Sequence, residues 1–392
     1  MSVTVAALSA PRRLVAEDAR LDDFVAVVSE PTLLADYPYA AQVEQQVLVY
    51  DAGALREALA QDAIAVETEI ARALRTGPGI VVLRGAFDTA VVDAATAGFE
   101  AMIAEQRASG ATAGDHFAKP GANDRVWNAL EKLAVQAPDA FVAYYANDMV
   151  ALAARSWLGP AYQVTSQVNV VNPGGAGQTV HRDYHLGFQS DARCAEFPPH
   201  VHELSQVLTL QSAVAHGDMP LVSGPTLYLP HSQKYSLGYV AYRRPEFQEF
   251  FQTHHVQLPL SAGDAVFFNP ALLHAAGSNH SPDIRRMANL LQISSAFGRA
   301  METVDRQRVV LAIYPSLCAA IDRGVDAARA ANVVAASAEA YPFPTNLDRA
   351  QPVDGMAPPS QGELFLRALE ERPTVDVLAE TLTAQAQTQL SH

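Results

Sequence analysis

The sequence of 392 residues is poor in cysteine and in charge, and it has no long apolar run. Its two cysteines, Cys194 and Cys318, have no C-x-x-C spacing, so neither a disulfide framework nor a zinc ribbon follows. Charged residues make up 18%, and the basic ones are the scarcer: 27 Lys and Arg against 42 Asp and Glu leave a net charge of −15. An acidic surface repels phosphate backbones and anionic headgroups, which argues against nucleic acid and against a membrane surface as partners. No stretch approaches the roughly 20 apolar residues that span a bilayer. The start, MSVTVAALSAPRRLVAEDAR, lacks the basic region and long apolar segment of a signal peptide. The expectation is a reduced, cytoplasmic, soluble protein. Its oligomeric state is not legible.

What is present is core-forming material. Apolar residues make up 49% of the chain, a globular composition. Residues 1 to about 50 read as an extension with limited regular structure. An amphipathic helix follows, with Leu55, Leu59, Val66, Ile70 and Leu74 near the helical period, and Gly77-Pro78 stops it. IVVLRG (80–85) reads as a strand, Asp88 as the cap of the next helix, 115–127 as a polar loop, and 138–159 as one further helix.

After Gly159 the texture changes. YQVTSQVNVV, QTVHRDYHLGF, SQVLTLQSAVA, PTLYLP, HHVQLPL, DAVFFN and RRMANLLQIS read as strands between turn residues. That continuous block argues for a sandwich or jelly roll and against a Rossmann-type fold. Helical patterning returns after Phe297, a Pro-rich segment follows, and a last helix or two ends the chain. The expected organisation is an extension and helix over 1–75, a β core over 76–297, and a helical C-terminal part over 298–392 packed on that core.

The chemistry concentrates in GQTVHRDYHLGF, residues 177–188. On a strand, residues two apart share a face, so His181 and Asp183 project together while Arg182 points away. With 12 histidines, roughly one H-x-D is expected by chance, so the motif alone carries little. AGDAVFFNPALLHAAGSNHSPDIRRMANLLQIS, from 262 to 294, adds His274 at a strand end and Arg285 eleven positions later. Two histidines and one carboxylate make a facial metal triad that leaves coordination positions open. An arginine near it can grip a carboxylate through its planar fork.

These residues resemble the phytanoyl-CoA dioxygenase family of Fe(II)/2-oxoglutarate-dependent oxygenases. The resemblance runs over roughly 76–297 and is strongest from 177 to 292. It implies a double-stranded β-helix, a cupin-like jelly roll. It implies Fe(II) held by His181, Asp183 and His274, and 2-oxoglutarate held through its far carboxylate by Arg285. SGPTLYLPHSQKYSLG (223–238) is similar to a further family stretch at Gly224, Pro225, Pro230, Ser232 and Lys234. Gln211 stands where many members carry tryptophan. The implied chemistry is oxidation of a small organic substrate with O2, releasing succinate and CO2. Related halogenases have Gly or Ala in place of the carboxylate, so Asp183 points to hydroxylation or another oxidation.

Gln211 and Gln167 lie on expected inner strands and are candidates for holding the cosubstrate, and Lys119 and Arg125 in the polar loop are others. If the last strand is shifted by one residue, Arg286 takes the place of Arg285. His185 is read on the same face as His181. His200 and His202 form an H-x-H placed in a loop, which a cupin-type metal dioxygenase without 2-oxoglutarate could use. A metal-free binding protein on the same fold is the remaining alternative. His254 and His255 face opposite ways, Asn279 ties a turn, and Cys194 is a buried inert thiol.

Overall fold

The computed structural model describes residues 13–109, 121–352 and 355–392. Its strands are β1 (Gln42–Glu44), β2 (Val47–Asp51), β3 (Ile80–Arg84), β4 (Asn123–Val126), β5 (Tyr162–Val171), β6 (Thr209–Ala215), β7 (Leu227–Leu229), β8 (Ala265–Phe268), β9 (Leu273–Ala275) and β10 (Arg286–Ser295). Eight of them form one sheet in the order β1-β2-β3-β8-β6-β10-β5-β4. β7 and β9 form the core of a smaller sheet, widened by single bridges from His181 to His274 and from Val256 to Tyr228. Tyr228 of β7 and His274 of β9 line one cavity with Val82, Val266 and Gln211, so the large sheet and the small one face each other, as in a jelly roll.

Alternation decides what each face of the large sheet does. One face carries Leu48, Tyr50, Val81, Leu83, Val164, Val168, Val170, Leu210, Val214, Phe267, Leu291 and Ile293 into the main core. Helices cover that face: Ala52–Arg75, Thr89–Ala108, Pro138–Tyr145, Asp148–Leu158, Arg306–Asp322 and Ala327–Ser337 all contribute buried side chains to it. Each fully buried Leu, Ile or Phe contributes roughly 1.5–3 kcal/mol. The opposite face is apolar at one side, with Val47, Val49, Ile80, Val82, Val266 and Phe268. Towards β10, β5 and β4 it turns polar, with Gln211, Gln292, Thr165, Gln167, Asn169 and Arg125 in paired rows.

Several elements differ from the sequence expectation. Residues 42–51 are not irregular but a hairpin, β1–β2, turned at Gln45 and Gln46 with φ of 49° and 70°. Such turns favour Asn-Gly, so Gln-Gln gave no signal. β2 and β3 run parallel, joined by the helix Ala52–Arg75, so one βαβ crossover precedes the strand block. That helix is broken at Asp62, whose carboxylate caps Ala65 N at 3.0 Å and restarts it. The single helix expected over 138–159 is two, because Asn147 caps a new start at Met149 and Val150. Residues 123–126 of the expected polar loop are the edge strand β4. PPHVHEL lies not in a loop but in the helix Pro199–Val207. QTVHRDYHLGF is extended only as far as Asp183, since Tyr184 and His185 take φ of 58° and 46° and enter a short 3-10 turn. HHVQLPL contributes only the bridges at Val256 and Leu260.

Arg182, between the two motif residues, is 2% exposed. Its guanidinium donates to Ser232 O and Tyr235 O and lies over the Tyr239 ring at 5.1 Å. Gly238 sits against it: a Cβ there would come within 1.9 Å of the guanidinium carbon. Alanine is the better helix former by about 1 kcal/mol, but overpacking a filled site costs about 1–3 kcal/mol. Gly238→Ala is therefore expected to lower the thermal midpoint by several degrees. An unchanged midpoint would mean that Arg182 moves aside freely.

Candidate metal centre

The site is assembled by strand pairing. His181 N donates to His274 O at 3.0 Å, and His274 N donates to His181 O at 3.2 Å. The two histidines are thus direct antiparallel partners, and their rings lie 4.5 Å apart, centroid to centroid. Asp183 follows two residues on, its own N–H bonded to Pro270 O at 3.0 Å. Its Oδ1 lies 3.6 Å from His181 Nε2, and its Oδ2 lies 3.3 Å from His274 Nε2. One ligand atom from each of the three residues falls within 4.8 Å of the others, the one such group among the described residues.

The donor atoms are set up for a metal. His181 Nδ1 lies 2.8 Å from Thr179 O, and His274 Nδ1 lies 2.9 Å from Leu272 O. A carbonyl only accepts, so both Nδ1 atoms carry a proton, which leaves Nε2 as the nitrogen each ring can offer a metal. Burial pushes the His181 imidazole towards neutrality, partly offset by Asp183. Burial also disfavours the charged Asp183 carboxylate, but His181, His274 and an N–H from Gln211 outweigh it and hold the carboxyl well below its ordinary range. Two imidazoles and a carboxylate suit a divalent transition metal, Fe(II) among them.

The three residues open on a cavity of about 1100 Å³ lined by the polar part of the large sheet. Arg286 enters it from β10. Arg286 is 6% exposed, and its Nη1 donates to Gly277 O at 3.1 Å. Burial lowers its pKa to about 10, so it stays charged at neutral pH. No carboxylate of the described residues pairs with it. Arg285 does not reach the cavity. It projects from the other face, exposed, bonded to Glu100 at 2.9 Å and near Asp124 at 3.7 Å. The reason is strand parity: Arg286, Ala288, Leu290 and Gln292 share the inner face, so position 285 faces the helix side.

Gln211 and Gln167 both line the cavity. One N–H of Gln211 is spent on Asp183. Gln167 accepts from Arg125, whose guanidinium stacks over Trp127 at 4.5 Å. Lys119 lies outside the described residues. His185 leaves the motif face because of the turn at Tyr184. His200 and His202 do not form a metal pair. On a helix, side chains two apart diverge: His202 is buried against Cys194 O at 3.0 Å, while His200 is exposed. His254 and His255 bond carbonyls of their own helix. Asn279 ties Val171 O and Ile284 O. Burial raises the Cys194 thiol to about 11, leaving it inert.

Sequence reasoning passed over Asn169, Gln292 and Tyr184. The first two carry a signal, a polar residue in inner parity with Gln167 or Gln211. Ser232 supports the site from behind, its Oγ accepting from Leu273 N at 2.8 Å beside His274.

No helix of the described residues is long and apolar enough to cross a membrane. No curated protein matches the sequence. Among solved structures the chain is similar to the non-heme α-ketoglutarate dependent epimerase SnoN from nogalamycin biosynthesis, at 20% identity over 60% of this chain and 82% of that one, TM-score 0.40. It is also similar to AviO1 from Streptomyces viridochromogenes, at 18% identity over 61% and 97%, TM-score 0.44. A third is HygX from Streptomyces hygroscopicus, solved with nickel, 2-oxoglutarate and hygromycin B, at 14% identity over 58% and 87%, TM-score 0.41. The family model for phytanoyl-CoA dioxygenase matches residues 77–287, more than half of the chain and the whole span from β3 to the start of β10. The chain belongs to the phytanoyl-CoA dioxygenase family, and with it to the Fe(II)/2-oxoglutarate class of oxygenase-type enzymes.

Proposed function

We propose that the protein is an Fe(II)- and 2-oxoglutarate-dependent dioxygenase that hydroxylates a small organic substrate. The observation that carries this is one cavity holding both a His-Asp-His donor set with its Nε2 atoms turned inward and a buried arginine without a carboxylate partner among the described residues. His181, Asp183 and His274 hold the metal, and Arg286, not Arg285, takes the far carboxylate of the cosubstrate. A buried cation in an apolar surround is an anion site in waiting; Tyr228, Val266, Phe268, Leu258 and Leu260 supply that surround.

Bound there, ferrous iron and 2-oxoglutarate supply the oxidising chemistry, consuming O2 and releasing succinate and CO2. The chain's own part is to position and to exclude. The paired main chains of His181 and His274 fix two donors relative to each other. The sheet's apolar side keeps water from the cosubstrate. The polar rows at Gln167, Asn169 and Gln292 face the remaining volume, where the substrate sits. A cavity of about 1100 Å³ exceeds what 2-oxoglutarate alone fills, and pockets of several hundred Å³ suit drug-sized molecules.

The test incubates the protein with Fe(II), 2-oxoglutarate, ascorbate and a panel of small molecules, following succinate and substrate mass. The expected result is iron-dependent succinate release, raised by a compound that gains one oxygen. A substrate that loses two hydrogens instead would move the reaction to desaturation. No succinate under any condition would end the proposal.

A further inference from the structure

A carboxylate can give a metal one oxygen or two, and the choice sets how many positions stay open. In this site the main chain leaves Asp183 little freedom. Its N–H is tied to Pro270 O at 3.0 Å, and Tyr184 turns away at once with φ of 58°. Rotation of the carboxylate itself remains. Gln211 Nε2 donates to Oδ2. The amide's orientation there is dictated by chemistry, since an ionised carboxylate only accepts. Gln211 is itself held in an inner row of the large sheet, between Phe268 and Gln292, and is 8% exposed. Gln292 is steadied in turn by Thr165 Oγ1 at 3.2 Å.

We infer that Gln211 is a positioning residue, whose N–H holds Oδ2 of Asp183 so that the carboxylate offers the metal a single oxygen. The inference rests on the metal role proposed above for Asp183. Two-oxygen binding would have to turn Oδ2 off the amide, leaving a buried donor unpaired at a cost of about 1–3 kcal/mol. One-oxygen binding leaves three positions for exogenous ligands, the number needed by a chelating keto acid together with O2. Gln211 achieves this without adding a charge to the ligand set.

The experiment titrates the apo protein with Co(II), whose visible bands report coordination number, and then with 2-oxoglutarate. Gln211→Met keeps the side-chain length and removes the donor. Gln211→Asn keeps the amide but falls short by one methylene, and it serves if the methionine variant fails to fold. Either variant is expected to bind Co(II) about 10-fold more weakly, with altered visible bands and weaker 2-oxoglutarate binding. Metal-free thermal unfolding should fall by no more than the few degrees that one lost hydrogen bond costs, and the altered bands separate positioning from general stability. Wild-type Co(II) affinity with a wild-type spectrum in a folded variant overturns the inference alone. Failure of the wild type to take up Co(II) overturns the metal reading with it.

Discussion

Asp183→Ala is expected to abolish turnover, with a loss above about 1000-fold, equivalent to about 4 kcal/mol of barrier. The change removes the one negative charge of the donor set. Two imidazoles remain, and as uncharged ligands to a bound metal they would offset none of the charge of a divalent ion. The variant should also release the imidazoles from their contacts at 3.6 and 3.3 Å with the carboxylate. Metal content after reconstitution, alongside succinate release, is the measurement. A variant that keeps both would remove Asp183 from the chemistry.

The second large effect separates two adjacent arginines. Arg286→Ala is expected to raise the KM for 2-oxoglutarate about 100-fold, within the 2–5 kcal/mol typical of truncating one partner of a buried charge pair. kcat at saturating cosubstrate should change little, because Arg286 is not one of the three donor residues. Arg285→Ala should leave KM alone. Its exposed pairs with Glu100 and Asp124 are of the kind worth about 0–1 kcal/mol. Steady-state kinetics on the two variants side by side decides the matter. The opposite pattern would return the role to Arg285.

How much of this was legible beforehand depended on whether the information is local. His181 and Asp183 were readable because two-residue spacing on an extended segment is local. His274 was readable as a histidine at a strand end, but only the resemblance paired it with His181, since nothing near it in sequence says that their main chains meet. Choosing between Arg285 and Arg286 required the register of β10 against β5, where Arg286 meets Val171. That is a tertiary fact, and one residue of error moves a side chain to the other face. Gln211 was placed on an inner strand correctly, but its partner comes from a segment twenty-eight positions earlier. The hairpin at Gln45-Gln46 and the break at Asp62 went unread for a different reason. Gln tolerates positive φ poorly, and an aspartate inside a helical pattern is usually just solvated.

The mutual main-chain bonds between His181 and His274 have a wider consequence. Catalytic geometry and correct strand alignment are one and the same condition in this molecule. A copy that folded with the two segments offset by a single residue would still bury most of its core. It would nonetheless send one imidazole to the far side and assemble no centre at all. Such errors would appear as a dead fraction of the population, not as a uniformly slower enzyme, so the proportion of active sites in a preparation doubles as a gauge of folding fidelity.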